Sequence, residues 1–291
     1  MFVSRVFSDY LNAYLLHVQN KRHCTIVDST AADALMTALR SELRPDDTVL
    51  EINPGPGLLT RRLLDHTQAN IVLFEKRTGF IDQLCTQFRS ELIEDRLTLA
   101  AIDFNCFYGY HISSRLRTGE AMQKFLEFLP SQTDVTRSNL KIVGTVSDSI
   151  FFSRLAICAA IGASFFQKTY PTFYLFVPDG LRKKFFDQYP FGSSKSFKCS
   201  LQYHFYFKCT SLCTVRKQCF YPIAKNVKVS SNMKSNNAVY HLMKIEPNWS
   251  FLAEVICPTI LLLCVHGVAV PIIIIIIITI KRGRQCKAER E

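Results

Sequence analysis

The feature that most constrains the fold is a regular alternation of short apolar stretches with helical ones through the first 180 residues. Five stretches of five to seven residues have the composition of buried strands: residues 48–52, 70–75, 97–103, 140–144 and 172–177. Helical patterns cover residues 31–43, after the polar cap of Asp28, Ser29 and Thr30, and residues 58–64. This order predicts an α/β protein with a doubly wound, mostly parallel sheet.

The loop between the first strand and its helix, residues 53–57, reads Asn-Pro-Gly-Pro-Gly. Glycines allow a backbone to approach a ligand closely, and a helix N-terminus presents free N–H groups. The loop has no Gly-Lys-Ser/Thr ending and no full Gly-x-Gly-x-x-Gly, which argues against a phosphate-binding loop and a standard dinucleotide site. By itself the loop could equally be a structural turn.

Acidic residues stand at the ends of three successive strands: Glu51, Glu75 and Asp103. An acid in the position of Glu75 can accept hydrogen bonds from both hydroxyls of an adenosine ribose, and Asp103 can face the adenine amino group. The structural alternative is that each acid is a solvated strand end. The order and spacing of the loop and the three acids favour an S-adenosylmethionine site.

Residues 49–60, Val-Leu-Glu-Ile-Asn-Pro-Gly-Pro-Gly-Leu-Leu-Thr, resemble the first motif of the ribosomal RNA adenine N6-dimethyltransferases. The Asn-Pro-Gly-Pro-Gly form is most similar to their mitochondrial transcription factor B branch. The similarity continues through Glu75, Asp103-Phe104, residues 142–144 and residues 244–251. It implies a Rossmann-like methyltransferase domain over residues 23–252, followed by a small helical C-terminal domain that this chain truncates or replaces.

The resemblance also implies the ligands. S-adenosylmethionine is the expected cofactor, RNA or single-stranded DNA the expected partner, and the mitochondrion the expected location. The cofactor contacts that it implies are Ile26, Asn53, Gly55, Gly57, Glu75 and Asp103.

The catalytic motif of the family departs in this chain. Active members carry Asn-Leu-Pro-Tyr after the fourth strand, where the Asn side chain and the Pro carbonyl accept hydrogen bonds from the adenine amino group and the Tyr stacks on the base. Here Thr145-Val146-Ser147-Asp148 stands instead, so Thr145 is the degenerate catalytic position. Phe151 or Phe152 could offer a ring. The resemblance to the mitochondrial branch implies a transcription initiation factor that contacts the mitochondrial RNA polymerase, and the departure fits that role better than catalysis. An active dimethyltransferase of small-subunit ribosomal RNA is the alternative.

The net charge of +11 is concentrated in one segment. Residues 182–228 hold ten basic residues and one acidic residue, interleaved with aromatic rings, whereas residues 1–181 are close to neutral. Cations neutralise phosphates and exposed rings stack on unpaired bases, so the segment predicts a nucleic-acid surface with Lys183, Lys184, Lys195 and Lys198. The alternative is a half-buried sheet with a basic outer face, for which the alternation at residues 203–207 would supply a strand.

The remaining signals are weaker. Cys199, Cys209, Cys213 and Cys219, with His204, lack paired metal-ligand spacing, so no metal is expected. Residues 1–22 could form a mitochondrial targeting helix or an ordinary helix.

The C-terminal region has an unusual composition. Residues 258–280 carry no formal charge and contain seven consecutive isoleucines, and the tail 281–291 is basic. This satisfies a transmembrane helix, in which case a membrane is a partner. Alternatively, the run is translated non-coding sequence standing in place of the helical domain.

Overall fold

The computed structural model describes residues 24–105, 107, 118–130, 138–162, 164–186, 206–221 and 239–248. The expectations for residues 1–22, Lys195, Lys198, Cys199, His204, 258–280 and 281–291 lie outside these residues. The helices are α1 Ser29–Leu39, α2 Leu58–His66, α3 Thr78–Gln87, α4 Arg89–Ile93, α5 Thr118–Glu127, α6 Ser149–Ile161 and α7 Asp179–Phe186. The strands are β1 Thr25–Ile26, β2 Thr48–Ile52, β3 Asn70–Phe74, β4 Leu97–Ala100, β5 Leu140–Thr145, β6 Thr172–Pro178, β7 Phe207–Arg216, β8 Phe220–Tyr221 and β9 Val239–Pro247.

Seven of these strands form one sheet in the order β4-β3-β2-β5-β6-β9-β7. The first five strands in this order are parallel to one another. Strand β9 is antiparallel to β6, and the edge strand β7 is antiparallel to β9. The predicted doubly wound, mostly parallel sheet is therefore confirmed. The strand order reverses direction between β2 and β5, and ligands of such sheets bind in the crevice beyond the carboxyl ends of the strands at that point.

Local sequence explains where the first elements begin and end. Asp28 caps α1, because its carboxylate accepts a hydrogen bond from the backbone N–H of Thr30 at 2.8 Å. The central strands β2, β5 and β6 are buried along their whole length. Strands that are covered on both faces read as continuous apolar runs rather than as alternating ones, which is why their sequence signal is strong.

Two apolar cores cover the two faces of the sheet. One is rich in phenylalanine and includes Phe74, Phe104, Phe125, Phe151 and Phe173. Their rings meet mostly edge to face, and the edge-to-face pairs have centroid distances between 5.3 and 6.5 Å. The other core packs α1 and α2 against the opposite face.

Helix α6 with its extension, Ser149–Phe166, is the one stretch of the described residues that is long and apolar enough to cross a membrane. Most of this stretch is buried inside the protein, and Phe151, Phe152 and Leu155 belong to the phenylalanine-rich core. The apolar composition is therefore explained by packing against the sheet.

The antiparallel end of the sheet is the part least visible in the sequence. Strand β7 begins at Phe207, so the alternation at residues 203–207 marks only its start within the described residues. A bulge between Ser211 and Cys213 shifts its register against β9. Separately, β1 pairs with β8, which attaches the chain before α1 to the residues after β7.

Candidate cofactor site at the carboxyl ends of the parallel strands

The loop after β2 is built from alternating left-handed residues. Asn53, Gly55 and Gly57 have φ values of 53°, 59° and 80°, separated by Pro54 and Pro56. Asparagine and glycine are the residues that adopt this region most easily, and proline fixes the intervening φ. The sequence Asn-Pro-Gly-Pro-Gly therefore specifies the path that brings the chain from β2 into α2.

Gly55 is required by space as well as by conformation. A Cβ atom on Gly55 would lie 1.9 Å from the Oγ1 atom of Thr25. This hydroxyl oxygen is buried and has no hydrogen-bond partner in the structure. The Thr25 side chain thus packs where a side chain on residue 55 would stand, and its buried hydroxyl is an unused hydrogen-bonding group beside the loop.

Glu75 follows β3, and its side chain is completely buried. The backbone N–H of Gly55 donates to its Oε2 atom at 3.3 Å, so the glycine loop and this acid are brought together as the sequence predicted. Arg77 donates from Nε to Oε1 at 2.7 Å and from Nη2 to Oε2 at 2.5 Å. Glu75, the acid that is expected to bind a ribose, thus forms a bidentate ion pair with Arg77 from its own loop.

Asp103 follows β4 and is more accessible than Glu75, with 35% of its side chain exposed. The Nζ atom of Lys76 lies 2.5 Å from its Oδ2 atom, and the backbone N–H of Asn105 donates to Oδ1 at 3.0 Å. Lys76 therefore connects the loop after β3 to the end of β4.

Glu51 lies within β2 and is buried, as Glu75 is. Burial raises the pKa of its carboxyl to about 8, since the hydrogen bond from the hydroxyl of Thr60, at 2.7 Å, only partly offsets the desolvation and the charge of Glu75 acts in the same direction as burial. Glu51 is therefore largely protonated at neutral pH.

Ile26 and Thr145 are both inside the protein. Ile26 belongs to β1, pairs with Phe220 and packs into the core on the α1 face. Thr145 is the last residue of β5, and its buried hydroxyl donates to the backbone carbonyl of Cys24. Thr145 thereby ties the segment before α1 to the centre of the sheet.

The rings that could replace the missing tyrosine are not available to a base. Phe151 and Phe152 are 2% and 0% exposed and contact the rings of Phe104 and Phe185 respectively. The expectation that either ring stacks on a base is wrong for this arrangement, because both are core residues of α6. Asp148 caps this helix by accepting from the N–H of Ile150 at 2.9 Å.

The described part of the basic segment has its cations outside and its rings inside. The Nζ atom of Lys183 lies 2.7 Å from Asp179, and that of Lys184 lies 5.1 Å from the centre of the Phe185 ring. The aromatic residues Phe185, Phe186, Tyr206, Phe207 and Phe220 are buried. The rings are therefore core residues, as the alternative of a half-buried basic surface expected, although residues 182–186 belong to helix α7 rather than to a strand.

No group of three His, Cys, Asp or Glu side chains among the described residues is placed to hold a metal ion. Cys209 lies in β7 and Cys219 just after it; burial raises the pKa of both thiols.

The glycine loop and the acids Glu75 and Asp103 follow the carboxyl ends of β2, β3 and β4, the edge at which doubly wound sheets bind ligands. Residues 27–233 match the family model of the ribosomal RNA adenine dimethylases. The chain belongs to the ribosomal RNA adenine dimethylase family. The sequence resemblance is confirmed by this match.

Curated relatives are similar at low identity. The mitochondrial dimethyladenosine transferase 2 of Bos taurus is 32% identical over 91 residues, which cover 31% of this chain and 22% of the relative. The Drosophila melanogaster protein of the same name is 26% identical over 158 residues, or 53% of this chain and 34% of the relative. The chain thus matches between a fifth and a third of the length of these relatives.

Among solved structures, the 23S rRNA methyltransferase ErmE is similar with a TM-score of 0.48 and 18% identity, over 77% of this chain and 69% of that chain. The strand order and strand directions of the sheet carry the fold assignment independently.

S-adenosylmethionine is the cofactor of this family, and the residues present fit it. The glycine loop, the orphaned Thr25 hydroxyl and the acids Glu75 and Asp103 lie around the carboxyl ends of β2, β3 and β4. Sequence reasoning missed Thr25, Thr60, Lys76 and Arg77. Only the last two had a signal, because two cations directly follow the ribose-type acid in the chain.

Proposed function

We propose that this protein binds S-adenosylmethionine and nucleic acid in mitochondria and acts in transcription initiation rather than as a ribosomal RNA dimethylase. Family membership and the fit of the site support cofactor binding. The names of the curated relatives support the mitochondrial location. The substitution after β5 supports the loss of methyl transfer.

The observation that carries the proposal is the state of the segment after β5. Transfer to an exocyclic amine requires acceptors that fix the amino group while it attacks the methyl carbon in line. In the position of the family's asparagine, the Thr145 hydroxyl is buried and donates to the Cys24 carbonyl. Asp148 is occupied in capping α6. These side chains stabilise the fold where active members orient a base.

The cofactor would be held by the loop of residues 53–57, with Glu75 receiving the ribose hydroxyls and Asp103 the adenine amino group. When bound, it supplies a methyl group on a positively charged sulfur. The protonated Glu51 adds no charge beneath this site, so Glu75 and Asp103 are the acids that face the nucleoside.

Nucleic acid is the partner that the charge distribution favours. The cations of α7, Arg182, Lys183 and Lys184, lie on the outside of the sheet above buried rings. A surface of this kind contacts phosphates rather than stacking on bases. The proposed partners are therefore RNA or single-stranded DNA and, following the sequence resemblance to the mitochondrial transcription factor B branch, the mitochondrial RNA polymerase.

Two assays on the same preparation test the proposal. We expect no transfer of labelled methyl to a small-subunit ribosomal RNA hairpin, and promoter-dependent run-off synthesis with the mitochondrial RNA polymerase. Methyl transfer that is lost in the Glu75→Ala variant would establish the alternative, an active dimethylase, and contradict the proposal. Loss of run-off synthesis together with absence of transfer would also contradict it.

A variant isolates the β5 segment. Thr145→Asn restores the family's acceptor at one position but leaves the proline and tyrosine positions unchanged. We expect it to gain no more than a trace of methyl transfer, because one acceptor does not orient the amino group. Full transfer by this variant would show that the rest of the site is catalytically intact.

A further inference from the structure

The two residues after Glu75 are cations, and their side chains form ion pairs with the two acids of the cofactor site. Arg77 pairs with Glu75, and Lys76 pairs with Asp103. One short loop therefore places a positive charge on the ribose-type acid and another on the adenine-type acid.

The carboxylate of Glu75 has no acceptor capacity left in this arrangement. Its Oε1 atom accepts from the backbone N–H groups of Lys76 and Arg77, both at 3.0 Å, and from Arg77 Nε at 2.7 Å. Its Oε2 atom accepts from Arg77 Nη2 and from the N–H of Gly55. A carboxylate offers about four lone-pair directions, and five donors already use them. The two hydroxyls of a ribose cannot bind without displacing some of these donors.

Only the side chain of Arg77 can leave. The three backbone donors are fixed by the loops that follow β2 and β3, and moving them would disrupt the path of the chain. The guanidinium is at the end of a flexible side chain that is 17% exposed. The guanidinium also lies 4.5 Å from the centre of the Phe80 ring, and this cation–π contact stabilises it in the position in which it pairs with Glu75.

We propose that Arg77 is an internal competitor for the ribose site: its guanidinium occupies Glu75 in the free protein and must swing away before the nucleoside of S-adenosylmethionine can bind. This inference rests on the proposed role of Glu75. Lys76 acts in the same sense on Asp103, but more weakly, because that pair is about one-third exposed on both sides.

The competition multiplies the apparent affinity by the fraction of free molecules in which Arg77 is not paired with Glu75. If the ion pair is closed in about 90 to 99% of molecules, the apparent Kd is raised about 10-fold to 100-fold. Removing the guanidinium should therefore tighten binding, which is the opposite of what the removal of a ligand-binding side chain does.

The test measures binding of S-adenosylhomocysteine by calorimetry to the full chain and to Arg77→Met, which keeps an unbranched side chain of similar length without charge. We expect Arg77→Met to bind at least about tenfold more tightly, while the free variant melts at a lower temperature because the buried Glu75 loses its counter-charge. Arg77→Lys, which keeps the charge but not the fork, should lie between the two.

Arg61→Met is the matched control. Arg61 pairs with Glu91 at 2.7 Å and lies 4.7 Å from the centre of the Phe88 ring, so it makes the same two kinds of interaction with residues other than Glu75 and Asp103. It should change melting temperature without changing the Kd. The combination of a less stable free protein and a tighter complex is the result that a merely structural role of Arg77 cannot give.

Glu75→Gln separates the two proposals. One result would overturn the competition but keep the site: the parent chain binds, Glu75→Gln abolishes binding, and Arg77→Met leaves binding unchanged or weakens it. Absence of binding in the parent, Arg77→Met and Arg77→Lys alike would overturn both.

Discussion

Glu51 lies in β2 and Glu75 directly follows β3, the neighbouring parallel strand, but the structure gives the two acids different partners. Glu75 receives a guanidinium and three backbone N–H groups. Glu51 instead accepts a hydrogen bond from the neutral hydroxyl of Thr60. Burial disfavours the charged form of Glu51, and the charge of Glu75 acts in the same direction, so Glu51 takes the proton.

The buried Glu51 makes stability depend on pH. Its pKa is about 8 in the folded protein, against 4.5 as the ordinary value. A raised folded-state pKa means that the native state binds more protons than the unfolded chain between these values. The contribution of Glu51 is fully present below about pH 4.5 and is lost as the pH rises through 8.

Glu51→Gln should remove this dependence, because glutamine keeps the neutral form and the acceptor for Thr60 at every pH. We expect the free energy of unfolding of the variant to match or fall slightly below the parent at about pH 5 and to exceed it by a few kcal/mol at about pH 8.5. Urea denaturation at both values is the measurement. A difference that does not change with pH would contradict a buried, protonated Glu51.

At the scale of elements, β5 is held against β2 by a close approach at their carboxyl ends. Gly144 has a φ of 137° and is in register with Ile52. A Cβ atom on Gly144 would lie 2.4 Å from the backbone oxygen of Ile52. The two central strands can therefore end side by side at the switch point only with glycine here.

Gly144→Ala should cost roughly 3 kcal/mol or more in the free energy of unfolding, from strain in φ and from separation of the strands. Gly180→Ala is the control, because a Cβ atom there meets nothing within 4 Å; it should change stability by less than about 1 kcal/mol. Chemical denaturation measures the free energy of unfolding of the two variants. Equal losses of stability would contradict the close approach of the strands.

At the scale of the molecule, the excess of positive charge lies in a different part of the sheet from the cofactor site. The strands that carry the site come from the near-neutral residues 1–181, whereas most of α7 and all of β7 come from the basic segment. The cofactor site and the proposed nucleic-acid surface therefore lie at different ends of one sheet.

The basic segment should bind single-stranded RNA with strong salt dependence. Changing Lys183, Lys184, Lys195 and Lys198 together to Gln should lower the slope of log K against log salt by about 0.7 for each phosphate that is no longer neutralised. Fluorescence anisotropy over a salt series measures the slope.

The control for this variant changes four exposed cations elsewhere to Gln: Arg40, Arg44, Arg89 and Lys124. It removes the same charge from the near-neutral part of the chain and should leave the slope nearly unchanged. Equal effects of the two variants would place the nucleic-acid surface outside residues 182–228.

Much of the fold follows from the sequence, because buried parallel strands and helix caps are short-range signals. The five predicted strands agree with β2 to β6 except at their ends; the third ends at Ala100, three residues before Asp103. Strand β9 escaped prediction, and β7 was anticipated only at its first residue, because β7 has one exposed face and a bulge against β9.

The sequence by itself determined the loop of residues 53–57, the three acids and the parallel sheet, since residues close in the chain specify each of them. Only the tertiary structure decided what these groups touch. The hydroxyl of Thr145 meets a carbonyl 121 positions away, and the rings of Phe151 and Phe152 are core. Arg77 is a neighbour of Glu75 in sequence, but its effect on the site depends on the burial that the completed sheet imposes on that carboxylate, where an ion pair is not screened by water.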